Sequence, residues 1–362
     1  MSPATRKNIG VIGLGIIGRG IAGNLRRKGF PVYVWNRSPR SVPNFVGSPA
    51  EVAEICNYIQ IFVSDDEALL QTAQQFGQKL TSRHLVLAHS TVAPDSMRAA
   101  AEIIERRKAR FVEAPFTGSK TAAEKGELVY YVSGNDAALR EARPILAASG
   151  KEIIEIGPTI GQASAIKIAT NMITAASVQA AAEGLALVQA LGLPLEKFVE
   201  AMRSNASHST TLAMKLPKIL DRDFEPHFSV KHMLKDMQIA NQIGLSNYLD
   251  LGVTAAARDQ LLEQMHWGHG DDDYSVVARK YLHEPASAVG EELQLDEQEE
   301  QIDTGESIAS SAEADTESRQ ETPPEVSPVP LVTAPSAART ETTRLRPGFF
   351  KQLLSRLSSG KE

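Results

Sequence analysis

Lys167 and Asn171 stand four positions apart near the start of a stretch rich in Ala, Ile and Leu and poor in charge, so on a helix their side chains share one face. A lysine in such a stretch is costly to bury and needs a reason. With an ordinary pKa of about 10.4 it is a feasible proton donor to an alkoxide formed as hydride reaches a carbonyl, and desolvation in a cleft lowers that value towards neutrality. Asn171 can donate to the same oxygen or orient the substrate. The spacing alone leaves a second reading open, a lysine that carries its ammonium out to solvent at the helix start.

Hydride chemistry needs a carrier, and the first forty residues hold a pattern for one. The apolar run Ile9 to Ile12 leads into Gly13-Leu14-Gly15-Ile16-Ile17-Gly18, a helical pattern follows to about Lys28, and a second apolar run ends at Trp35-Asn36-Arg37. This is the dinucleotide fingerprint in its strand-helix-strand context. Gly13 serves the tight turn, Gly15 the approach of backbone to a pyrophosphate, and Gly18 the close packing of helix on strand. The pyrophosphate then sits on the helix N-terminus, where free N–H groups and the macrodipole favour an anion. Gly13, Leu14, Gly15, Ile16, Ile17 and Gly18 are therefore candidate cofactor residues. Where NAD-binding domains place Asp or Glu for the ribose hydroxyls, this chain has Asn36-Arg37-Ser38. A guanidinium pairs with a 2′-phosphate that a carboxylate would repel, so NADP is expected over NAD, with Arg40 near enough in sequence to add a second charge. A solvated loop arginine is the alternative.

Composition narrows the rest. The chain has 362 residues, 42% of them hydrophobic, enough for two domains with sizeable cores. No apolar run reaches the length of a membrane helix, and Met1 to Lys7 lacks the apolar core of a secretory signal. Cys56 is the single cysteine, so no intramolecular disulfide forms, and a reducing cytoplasm is expected. The net charge of −6 is uneven: residues 286–362 carry 15 acidic and 7 basic side chains, while the remainder holds 31 Lys+Arg against 29 Asp+Glu. No basic stripe interleaved with aromatics suggests a nucleic-acid surface.

Apolar runs spaced by helical patterns predict strands at Asn8–Ile12, Val32–Trp35, Tyr58–Val63, His84–Ala88, Arg110–Glu113, Leu128–Val132 and Glu152–Ile156. That alternation predicts an α/β fold, a Rossmann-type doubly wound, mostly parallel sheet over 1–160. From Gly161 to Leu191 one long helix is expected. It is apolar on nearly all sides and so is expected to be buried, as the spine of an all-helical domain over 161–285 and against a second subunit. Helical periods follow at about 195–203, 209–220, 230–245, 254–265 and 272–283. Residues 286–340, rich in Glu, Ser, Thr, Pro and Ala, predict disorder. The segment 344–358 interleaves Arg344, Arg346, Lys351 and Arg356 with Phe349, Phe350, Leu353, Leu354 and Leu357, which suits a weak membrane-surface contact, a docking groove on a partner, or a tail that binds nothing. His266, His269 and Asp271 to Asp273 have the types of a metal cluster, but the aspartates read better as a helix start, and no metal is expected.

Five motifs in order decide among these readings. The glycine fingerprint, Ser90-Thr91-Val92, Glu113-Ala114-Pro115-Phe116-Thr117-Gly118-Ser119-Lys120, Gly161 to Lys167 with Asn171, and Lys231-His232-Met233-Leu234-Lys235-Asp236-Met237 resemble the β-hydroxyacid dehydrogenases (3-hydroxyisobutyrate dehydrogenase-like) over residues 8 to 284, and most of all the glyoxylate and succinic semialdehyde reductases. The resemblance implies that Lys167 is the catalytic acid/base and that Asn171 assists it. It places substrate binding at Thr117, Gly118 and Ser119, with threonine where the family has serine, and puts Thr91 and Lys235 beside the nicotinamide. It implies a short aldehyde bearing a carboxylate as substrate and a homodimer or tetramer as assembly. Imine reductases, which commonly replace the lysine, and non-catalytic relatives, which lose it, are the alternatives.

Overall fold

The structure is a computed structural model, and it describes residues 8–282. The expectations for the linker and for 344–358 lie outside the described residues. Five parallel strands alternate with four helices: β1 (Ile9–Ile12), α1 (Ile16–Arg27), β2 (Val32–Trp35), α2 (Pro49–Ile55), β3 (Tyr58–Ile61), α3 (Asp66–Gly77), β4 (Leu85–Ala88), α4 (Pro94–Glu105) and β5 (Arg110–Glu113). Their order in the sheet is β2-β1-β3-β4-β5, so the chain reverses direction of travel between β1 and β3. Ligands of open α/β sheets bind at such a switch point, beyond the carboxyl ends of the strands. Helices cover both faces, which is why every residue of β1 and β4 is buried.

Past β5 the parallel run ends. A two-residue strand that periodicity does not reveal, β6 (Phe116–Thr117), precedes α5 (Lys120–Lys125), and β7 (Leu128–Gly134) then runs antiparallel to both β5 and β6. The six-residue α5 is too short to return the chain as a parallel crossover. After α6 (Asp136–Leu146), β8 (Gly150–Gly157) pairs parallel with β7.

The second half is helical: α7 (Gln162–Ala190), α8 (Leu195–Arg203), α9 (Thr210–Leu220), α10 (Val230–Ser246) and α11 (Gly252–His266). Ala182, Leu185, Leu216, Met233, Met237 and Val276 share its core. Within the chain α7 is buried on one side, and Ile166, Ile173 and Leu187, exposed at 40%, 70% and 62%, lie on the side left for the expected second subunit. One expectation needs correcting. Residues 272–282 do not form an α-helix; Tyr274–Lys280 is a 3₁₀ helix whose first five residues are all buried, so they offer no solvent face to reveal its period. Asp273 caps it through Ser275 N–H and Oγ and also accepts from His227 N–H, in the loop before α10, at 3.0 Å. That carboxylate also receives Lys215 of α9 at 2.6 Å on each oxygen, an ion pair with both side chains buried.

Candidate active site

The glycine turn sits at the switch point. Gly13 has φ +98°, the left-handed region that favours glycine, and a Cβ there would collide with the Phe62 carbonyl. A Cβ on Gly18 would strike the Gly13 carbonyl, whereas one on Gly15 meets nothing within 4 Å. Gly13 and Gly18 are thus fixed by packing, and Gly15 faces open space. α1 begins at Ile16 with no side-chain cap and no acidic residue in its first turn, so the N–H groups from Ile16 and Ile17 onward have no carboxylate of their own. This cradle fits a dinucleotide pyrophosphate.

At the end of β2 the predicted residues divide by role. Asn36 Oδ1 accepts from Leu14 N–H at 2.9 Å, and its Nδ2 donates to the Ser38 carbonyl at 2.8 Å, so this side chain braces the turn. Arg37, Ser38 and Arg40 are exposed. Burial pushes the nearby Asp65 carboxyl upward, but hydrogen bonds from Ser64 and Ala68 and the charges of Lys235 and Arg37 bring it below its ordinary value.

Lys167, Asn171, Thr91 and Lys235 meet in one network. Lys167 Nζ donates to Asn171 Oδ1 at 2.9 Å, and Asn171 Nδ2 donates to Asp236 Oδ2 at 2.6 Å. The other oxygen of Asp236 receives Lys235 Nζ at 2.7 Å, and Lys235 also donates to the Thr91 carbonyl, joining α10 to the loop after β4. Asp236, held by Lys235, accepts from the Asn171 amide and so orients it, and the amide oxygen in turn accepts from the lysine. Lys167 is 9% exposed, which removes the reading of an ammonium carried out to solvent. Burial lowers its pKa to about 8, with Asp236 raising and Lys235 lowering it further. Asp236 went unassigned in the sequence reading; its signal was a carboxylate beside Lys235 that α10 buries completely.

Thr117 ends β6, Gly118 and Ser119 form the turn between β6 and α5, and the three make none of the hydrogen bonds of that network. Ser119 Oγ accepts from Ala122 N–H at 3.3 Å as the cap of α5, and its hydroxyl hydrogen is left to donate elsewhere. Lys120 reaches Glu225, ahead of α10, at 3.5 Å, so the turn and the helical half approach one another. The aspartates near His269 are engaged elsewhere: Asp271 with Lys231, Asp272 with His269 at 2.8 Å, and Asp273 with Lys215. Among the described residues no group of three or more His, Cys, Asp or Glu is placed to hold a metal ion, and no helix is long and apolar enough to cross a membrane.

Comparison with known proteins follows the same division of the chain. The family model for the NAD binding domain of 6-phosphogluconate dehydrogenase matches residues 8–157, and that for the NAD-binding domain of NADP-dependent 3-hydroxyisobutyrate dehydrogenase matches 161–281. Glyoxylate/succinic semialdehyde reductase 1 of Arabidopsis thaliana is 31% identical over 279 residues, covering 74% of this chain and 96% of its own. The cytokine-like nuclear factor N-PAC of Danio rerio is 30% identical, covering 77% of this chain and 63% of its own. The crystal structure of a 3-hydroxyisobutyrate dehydrogenase from Salmonella typhimurium superposes with a TM-score of 0.70 at 22% identity, over 76% of this chain and 100% of that one.

Proposed function

Because the chain belongs to the β-hydroxyacid dehydrogenase family of NAD(P)-dependent oxidoreductases, we propose that it reduces a short aldehyde bearing a carboxylate, such as glyoxylate or succinic semialdehyde, with NADPH as donor. The observation that carries this reading is a buried Lys167 with a pKa of about 8, held by Asn171 and Asp236. Gly13 to Gly18 with the start of α1 would hold the pyrophosphate, Arg37 with Arg40 and Ser38 the 2′-phosphate, and Thr91 and Lys235 the nicotinamide end. When bound, the reduced nicotinamide supplies the hydride. As the carbonyl oxygen gains charge, Lys167 gives it a proton, and Asn171 keeps Nζ aimed. A pKa near operating pH serves this transfer well, because the acid is populated and its conjugate base is not too strong. The Thr117 hydroxyl, the Gly118 N–H and the free Ser119 hydrogen are the proposed donors to the substrate carboxylate.

The exposed face of α7 points to a homodimer or tetramer in this reading. Lys167 and Glu183 are the helix's only charged residues, and Ile166, Ile173 and Leu187 fall seven or fourteen residues apart on one stripe. A second copy of the chain is the proposed cover, and Ile173→Glu should shift light-scattering mass towards monomer. A single buried cysteine, Cys56, with no second cysteine for an intramolecular disulfide, fits the proposed residence in a reducing cytoplasm.

The test is a panel of NADPH oxidation rates with glyoxylate, succinic semialdehyde, tartronate semialdehyde and a cyclic imine. At least one carboxylate aldehyde should exceed the imine in kcat/KM by tenfold or more. Preference for the imine would transfer the reading to imine reduction, and turnover of none would point to a binding module.

A further inference from the structure

Glu113 ends β5, is wholly buried, and touches neither Lys167 nor Asn171 through any bond of the catalytic network. Its carboxylate instead receives the backbone at the start of α7: Gly161 N–H on Oε2 at 2.6 Å and Ser164 N–H on Oε1 at 2.5 Å. Gly161, the residue before the helix, has φ +99° and no side chain with which to cap, so the cap is supplied by a strand 48 residues away. Burial pushes the carboxyl's pKa up, and the bonds from the helix start pull against that rise. A buried carboxylate without such donors would be strongly disfavoured, so the bonds bind strand and helix together.

The chain runs on from β5 through Ala114 and Pro115 into β6 and Thr117, and α7 presents Lys167 about one turn after Ser164. We propose that Glu113 is a positioning residue that fixes α7 in register against β5, so that Lys167 and the turn at Thr117 share one rigid reference. This rests on the reading of Lys167 as proton donor. A slip of about 1 Å along the helix axis would move Nζ equally, and misplacements of that size can cost about a hundredfold in rate.

Glu113→Gln keeps the shape but sets an amide N–H₂ against one of the two N–H donors. It should lower kcat by about 10- to 100-fold while leaving NADPH affinity and substrate KM within about threefold, and it should enlarge the deuterium isotope effect on kcat from deuterated NADPH. Glu113→Asp, which keeps the charge with a shorter reach, should recover part of the loss, and it carries the test if the Gln variant does not fold. Hydrogen exchange at residues 161–168 should quicken in either variant with no substrate present. Unchanged kcat in a wild-type enzyme that reduces the aldehydes would overturn the proposal, as would a loss shared equally by KM and cofactor affinity. If the wild type reduces none of the panel, the functional reading fails separately, and unchanged exchange at 161–168 then overturns the anchor alone.

Discussion

Two buried lysines in the helical half have opposite surroundings. Lys215 lies in a closed site: Asp273 takes it on both oxygens at 2.6 Å, and the Tyr274 ring is 4.7 Å from its ammonium. Lys167 makes its hydrogen bond to a neutral amide, and the carboxylate that offsets its charge is one residue further off. Both pKa values are lowered by burial, but only Lys167 is left without a direct counter-ion in this network. In the mechanism proposed above, the difference separates a structural cation from a reactive one. Full pairing makes a lysine a cross-link, and withheld pairing leaves its proton available.

The strongest way to break the comparison is Lys167→Met. It should lower kcat by about 10²- to 10⁴-fold, the usual worth of general acid catalysis, with NADPH affinity little changed. It should also stabilise the fold. Below pH 8 the native lysine is charged at a cost set by the fall of its pKa from 10.5 to about 8, roughly 3 kcal/mol, and that cost fades between pH 8 and 10.5 as the unfolded state loses its proton too. Thermal unfolding at pH 7 checks the sign: a lower Tm would mean that Lys167 is better paired than described.

Lys215→Met should do the reverse. It strands Asp273 in the core with only the N–H and hydroxyl donors of Ser275, His227 and Phe228, and removing one partner of a buried pair costs about 3 kcal/mol or more. Denaturant midpoints should drop, while kcat of the folded fraction, counted by bound NADPH, should stay near wild type.

A gentler probe is pH. Reduction needs the protonated lysine, so kcat should fall about tenfold per unit above pH 8, and Asp236→Asn, which removes the charge that raises the Lys167 pKa, should move that break to lower pH. A break that stays in place would separate Asp236 from the proton donor. The smallest effect expected lies at the other end of the cleft, where Arg37→Ala should erode the NADPH/NADH ratio of kcat/KM by about tenfold, the worth of one charge-assisted contact. An unchanged ratio would remove Arg37 from phosphate recognition.

What was legible in the sequence was local. The strands from β1 to β5 and the glycine turn follow from short-range patterns, because a strand buried on both faces is an apolar run and a phosphate-binding turn needs glycine at fixed offsets. Lys167 and Asn171 could be paired because four residues make about one helical turn, but it was the family resemblance that implied their roles. Asp236 and Glu113 lie 65 and 48 residues from the groups they hold, and nothing in their neighbourhood marks them as partners of α7. The exposed stripe of α7 follows the same limit: apolar periodicity says that a face needs cover, but it does not say whether the same chain or a second copy provides it.

The bracing of Leu14 and Ser38 by Asn36 bears on how cofactor choice can drift over evolutionary time. An acidic residue at 36 would keep an acceptor for Leu14 N–H but would have no N–H to give Ser38, so the loop that carries Arg37 would loosen as the ribose gained a partner. Position 36 is therefore a poor first step for a lineage moving between cofactors. Arg37 and Arg40 are exposed and do not brace Leu14, so changes there alter the charge beside the ribose without disturbing the glycine turn, and a directed library should be aimed at them.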